Sequence, residues 1–124
     1  MQHTNVLLLQ SDPKIAQTLA ALLSNSFHRV HVAKSVDELR NAAAKHHPSA
    51  IVLDLESASL TDLETLTREF NGTRVICNHR VPDEEMWTRT LNAGAEDCCP
   101  SSDMRGILTA AMRADQVSER QMVA

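Results

Sequence analysis

Residues 50–55 read Ala-Ile-Val-Leu-Asp-Leu. Apolar side chains at five of these six positions, without the alternation of a half-exposed strand, predict a β-strand covered on both faces, as in a parallel sheet layered between helices. The acid near its C-terminal end, Asp54, is out of character for such a strand. Burying a carboxylate is costly unless it is paired or hydrogen-bonded, so its placement needs a reason.

Outward from this strand, apolar runs of strand length alternate with segments of helical period. Upstream, Val6-Leu7-Leu8-Leu9 predicts a first strand, and Asp12-Pro13 an N-cap and first helical residue. Ile15, Leu19, Leu22, Leu23 and Phe27 follow as a stripe at helical spacing. Residues 29–33 alternate like an edge strand, and Ser35-Val36-Asp37-Glu38 has the form of a capping box, opening a helix through Leu39, Ala42 and Ala43 that ends at His46-His47-Pro48. Downstream, a helix is predicted over 60–70, stopping at Asn71-Gly72, and a strand over 73–78. Pro82-Asp83-Glu84-Glu85 opens a fourth helix with acids at its positive dipole end, Gly94 closes it, and residues 97–100 make a short fifth strand. Ser102-Asp103 caps a last helix whose Met104, Ile107, Leu108, Ala111 and Met112 share one face. Five βα units imply an α/β fold: a five-stranded parallel sheet flanked by five helices. One domain is expected over 1–124, with its core at about 4–114 and a helical extension over 115–124.

With 124 residues the chain is near the modal size of one domain. Its aromatics are Phe27, Phe70 and Trp87, so the core must be aliphatic. Twelve Lys and Arg against sixteen Asp and Glu leave a net charge of −4, and no window collects the bases that phosphate-backbone binding needs, which argues against direct nucleic-acid contact. The apolar runs fall far short of the ~20 residues of a membrane span, and the N-terminal residues lack the layout of a signal peptide, so a cytoplasmic location is expected. Cys77, Cys98 and Cys99 are an odd number, read as reduced thiols. Adjacent Cys98 and Cys99 should point to opposite faces of a strand, which favours buried small apolar residues over a thiol-based redox sensor.

In an open parallel sheet, ligands collect outside the carboxyl ends of the strands where strand order reverses. The residues there are Gln10-Ser11-Asp12, Asp54, Asn78-His79 and Pro100-Ser101-Ser102. Here the chain resembles, over about residues 4–114, the receiver domain of bacterial response regulators. The resemblance rests on Val6-Leu7-Leu8-Leu9 with a polar triplet and Pro13, Ile51-Val52-Leu53-Asp54-Leu55, Leu63-Glu64, Val75-Ile76, and above all Leu91-Asn92-Ala93-Gly94-Ala95-Glu96-Asp97. It implies a flavodoxin-like doubly wound sheet of order 2-1-3-4-5 and makes Asp54 the phosphoacceptor, served by a histidine kinase or a small phosphodonor.

Phosphoryl transfer to a carboxylate needs charge neutralisation, which that family supplies with Mg²⁺, held partly by an acidic pair after strand one, and with a lysine after strand five. In this chain the acidic pair falls on Gln10 and Ser11, the Lys-Pro pair on Ser101 and Ser102, the switch hydroxyl after strand four on His79, and the responding aromatic on Cys98. Metal ligands, cationic clamp and relay are changed together. The resemblance therefore implies a degenerate receiver that is no enzyme and acts by protein contact, with Asp54 hydrogen-bonded to Ser11, Ser101 or backbone amides. No cofactor is expected, and Mg²⁺ would bind weakly only if Asp54 and Glu56 suffice. By the same reasoning Asp54→Ala is expected to be tolerated. An ordinary phosphorelay receiver using Asp54 with an altered metal site is the first alternative. Implied partners are a histidine kinase, an output domain or another signalling protein. A homodimer through helix four, strand five and helix five is also implied, with Trp87, Arg89, Met104 and residues 111–117 as contacts; Trp87 packing inward against the core stays open.

Overall fold

The computed structural model describes residues 3–112. Five strands, β1 (His3–Leu9), β2 (Phe27–Ala33), β3 (Ala50–Asp54), β4 (Arg74–His79) and β5 (Asp97–Pro100), form one parallel sheet in the order β2-β1-β3-β4-β5. The helices are α1 (Pro13–Leu23), α2 (Val36–His46), α3 (Leu60–Glu69), α4 (Glu84–Asn92) and α5, residues 104–112. This is the flavodoxin-like doubly wound arrangement expected from the sequence.

The two faces of the sheet build two cores. On one, Leu7, Leu9, Ile51, Leu53, Val75 and Cys77 meet Leu39 and Ala43 of α2 and Leu63 and Leu66 of α3. On the other, Val6, Leu8, Val52 and Ile76 meet Leu19 and Leu23 of α1 and Ile107 and Ala111 of α5. Every residue of β3 is buried, as its unbroken apolar run requires. The chain runs from β1 to β2 on one side and then to β3 on the other, so order reverses between β1 and β3, where Gln10-Ser11 and Asp54 emerge.

Helix starts follow local chemistry. Asp12 accepts hydrogen bonds from the amides of Lys14 and Ile15 with Pro13 at the first helical position. Ser35 accepts from the Glu38 amide at 3.1 Å, but Glu38 reaches the amide of Lys34 instead of that of Ser35, so the expected box closes on only one arm. The reciprocal box is found at α3, between Ser59 and Asp62. Phe27 is not part of the α1 stripe. Ser24 closes the helix, its N–H donating to Ala20 O and its hydroxyl to Ala21 O, and Phe27 opens β2. Its ring still joins the core that Leu19 and Leu23 line, which is why helical spacing includes it. The expected extension over 115–124, and residues 113–117 of the expected contact stretch, lie outside the described residues.

Gly94 ends α4 with φ +110°, and a Cβ there would lie 2.9 Å from Thr67 Oγ1, which itself donates to Ala93 O. Gly94→Ala should therefore cost about 2 kcal/mol or more, whereas Gly72→Ala, with open space around it, should be neutral or stabilise by about 0.5 kcal/mol. Chemical denaturation of the two variants checks this.

Candidate functional site

Asp54 is the last residue of β3 and is fully buried. Its Oδ2 accepts the Ser11 hydroxyl at 2.6 Å, the Ser11 N–H at 2.8 Å and the Ser57 hydroxyl at 3.2 Å; Oδ1 accepts the Glu56 N–H at 3.0 Å. Three of these four donors converge on Oδ2 and one meets Oδ1, so Oδ2 is fully engaged while Oδ1 keeps a second acceptor site. Ser11 is thus a partner of the acid. Of the alternatives, Ser11 and backbone amides serve the acid and Ser101 does not: its hydroxyl donates to Asn78 Oδ1 at 2.9 Å, its N–H to His79 O, and the side chain is buried. Parallel register sets Asn78 opposite both Asp54 and Cys99, and Asn78 Nδ2 in turn points at Leu53 O at 3.4 Å.

Glu56, read as a possible replacement metal ligand, is engaged otherwise. Its Oε2 lies 2.9 Å from Arg80 Nη2, and its Oε1 accepts the Arg80 N–H at 3.2 Å. The Arg80 guanidinium, chiefly through these hydrogen bonds, holds the Glu56 carboxyl below the usual carboxylate range and is itself raised. His79 accepts the Val81 N–H on Nδ1 at 3.1 Å, a structural role. Gln10 Oε1 is a buried acceptor with no partner among the described residues. Gln10, Ser11, Asp12, Pro13, Ile15, Glu56, Arg80 and Ser101 line one cleft of about 370 Å³, so four of the six pocket positions singled out in the sequence share this cleft with Asp54 directly behind Ser11. Among the described residues, no group of three or more His, Cys, Asp or Glu side chains is arranged to hold a metal ion.

Three contributors escaped the sequence reading. Ser57 looks like a loop hydroxyl, Asn78 reads only as a strand end, and Arg80 carries no motif. A polar Asn inside the apolar run of β4 was the one usable signal.

Of the surface candidates, Trp87 is 46% exposed and does not pack inward. Arg89 is exposed and pairs with Glu85 at 2.6 Å. Met104 is half-buried against the α1–α5 core, so it is a poor anchor for a partner. Cys98 and Cys99 do face opposite cores, while Cys77 and Cys98 are register neighbours on one face. All three are buried and none is in a disulfide, and burial pushes the Cys77 and Cys98 thiols up, away from the reactive thiolate.

No family model matches the chain, and no curated protein matches it in sequence. Solved structures do. The N-terminal signal receiver domain of a two-component response regulator from Bacteroides fragilis aligns with TM-score 0.82 at 19% identity, covering 92% of this chain and 98% of that one. A response regulator from Thermotoga maritima gives 0.81 at 18%, covering 94% and 99%. NtrX from Brucella abortus gives 0.86 at 18%, covering 98% of this chain but 28% of its own. The fold is that of response-regulator receiver domains.

The four hydrogen bonds argue against the expectation that Asp54→Ala is tolerated or mildly stabilising. Truncation strands the amides of Ser11 and Glu56 and should cost about 2 kcal/mol, with Asp54→Asn, which keeps one acceptor, in between. Thermal melts rank the three proteins. At the rim, Arg80→Ala should move Glu56 titration up toward the ordinary carboxylate range, as followed by side-chain carboxyl NMR shifts. Because the folded carboxyl is depressed, its pairing is complete above the ordinary value and is lost only as pH falls through the depressed one.

Proposed function

We propose that the chain is a receiver-type module of bacterial two-component signalling that works by protein contact, independently of phosphorylation, and that it is not an enzyme. The observation that supports this reading most directly is the engagement of Asp54 by donors of its own chain. A phosphoacceptor must expose a carboxylate oxygen to an incoming phosphorus beside a divalent cation, and here the residue is fully buried, with Oδ2 held by both donors of Ser11 and by Ser57, and Oδ1 accepting the Glu56 N–H. Glu56 is tied to Arg80, and the positions of the family's acidic pair and lysine hold Gln10, Ser11 and Ser101, leaving Asp12 and the Glu56-bound Arg80 as the other charged residues of the cleft. Mg²⁺ binding is accordingly weak. A cytoplasmic setting agrees with the absence, among the described residues, of a helix long and apolar enough to cross a membrane.

The partner is a protein of the same signalling class, a histidine kinase, an output domain or a second copy. Its contact is the side of the molecule built by α4, β5 and α5, where Trp87 stands exposed beside the Glu85–Arg89 pair, an aromatic anchor within a charged rim. The buried thiols weigh against a redox sensor.

Incubation with acetyl phosphate and Mg²⁺, read by intact mass, should give no phosphoryl adduct, and amide NMR should reveal no saturable Mg²⁺ site around Asp54 in the low millimolar range. An adduct lost in Asp54→Asn would instead make this an ordinary phosphorelay receiver. Size exclusion with light scattering over a range of concentrations should show self-association weakened by Trp87→Ala with the fold retained by circular dichroism.

A further inference from the structure

The segment joining β4 to α4 is short, Arg80 to Asp83, and its backbone is pinned at successive residues. The Arg80 N–H donates to Glu56 Oε1 at 3.2 Å, the Val81 N–H donates to His79 Nδ1 at 3.1 Å, Pro82 fixes its own φ and has no N–H, and the Asp83 carboxylate accepts the Met86 N–H at 2.8 Å to begin α4. The grip on Arg80 is double. Its guanidinium holds the same carboxylate through Nη2 at 2.9 Å and Nε at 3.3 Å from Oε2, so one acid secures both the main chain and the side chain of one residue. Glu56 is itself anchored, since its N–H donates to Asp54 Oδ1. A continuous chain of hydrogen bonds therefore runs from the buried acid at the end of β3, through the turn after it, to the segment after β4. At the end of that chain Val81 is 76% exposed, and Trp87 follows on the helix that Asp83 caps.

An exposed ion pair by itself contributes little to global stability, and the Arg80 side chain is 77% exposed. The consequence of this one is local. Without Glu56, the hydrogen bonds left to the segment are the His79 contact and the cap, and among the described residues no other hydrogen bond or ion pair ties it across to the β3–α3 turn.

We propose that the Glu56–Arg80 clasp is a conformational lock, which holds the β4–α4 segment and the start of α4 in one presented arrangement without any covalent signal. It rests on the reading of this chain as a module that acts without phosphorylation, and it supplies the means: a permanent internal cation bridges two loops at the mouth of the Asp54 cleft. Arg80 lines the cleft together with Asp12 and Glu56, and the charges of Asp12 and Asp54 add to that of Glu56 in favouring its cationic form.

Hydrogen–deuterium exchange on the full chain tests it. Glu56→Ala should speed exchange of the Arg80 amide and its neighbours by roughly tenfold or more, while amides of β1 and β3 such as Leu8 and Val52 keep their protection. Glu56→Gln keeps an acceptor but loses the charge and should fall between. In the unmutated protein, added salt should loosen the same segment, an arm that stands even if Glu56→Ala folds poorly. Unchanged exchange at Arg80 and Val81 in Glu56→Gln and in high salt overturns the lock. A phosphoryl adduct on Asp54 of the unmutated protein overturns the phosphorylation-independent reading instead, whatever the exchange shows.

Discussion

A carboxylate at the end of a strand with no exposed face has to be solvated by the protein itself, and the architecture around Asp54 answers that requirement. Parallel pairing buries β3 on both sides, so water is excluded from the acid, and the desolvation is met by two backbone N–H groups and two hydroxyls. Ser11 is exposed toward the cleft yet turns both its donors inward, which fixes where the chain leaves β1 and enters α1. The Glu56 amide closes the turn after β3 in the same way. The position of α1, the shape of the cleft mouth and the reach of Glu56 toward Arg80 all depend on this one buried charge being satisfied.

The fold was legible because its determinants are patterns that local physics reads directly. Unbroken apolar runs at β1 and β3 can only be covered strands, and the caps at Asp12, Ser35 and Asp83 bear the helix starts that their chemistry implies. Where the reading slipped, two structures shared one spacing. Phe27 lies four residues after Leu23 and faces the same core from a strand, so periodicity alone assigns it to the helix. Glu38 sits at the right distance for a capping box, but its side chain has a choice of two neighbouring amides.

The site was legible only as positions. Asp54, Gln10, Ser11, Glu56, His79 and Ser101 converge at the carboxyl edge as strand order demands, yet their partners were not readable. Ser101 turns to Asn78 because register places the two side by side, and Glu56 turns to Arg80 because the segment after β4 passes over the turn after β3. Such pairings depend on rotamers and loop paths that no sequence spacing encodes. They also decide the chemistry, since the same residues with Glu56 free and Asp54 open would read as a weak metal site.

The aromatic poverty of the chain has a spectroscopic consequence. With no tyrosine and a single tryptophan on the outer side of α4, almost all absorption at about 280 nm and almost all emission originates from one surface position, while the core adds only the weak signal of Phe27 and Phe70. Fluorescence of this protein is therefore a reporter of what touches α4 and a poor witness to unfolding of the interior, the reverse of a protein whose indole is packed in its core.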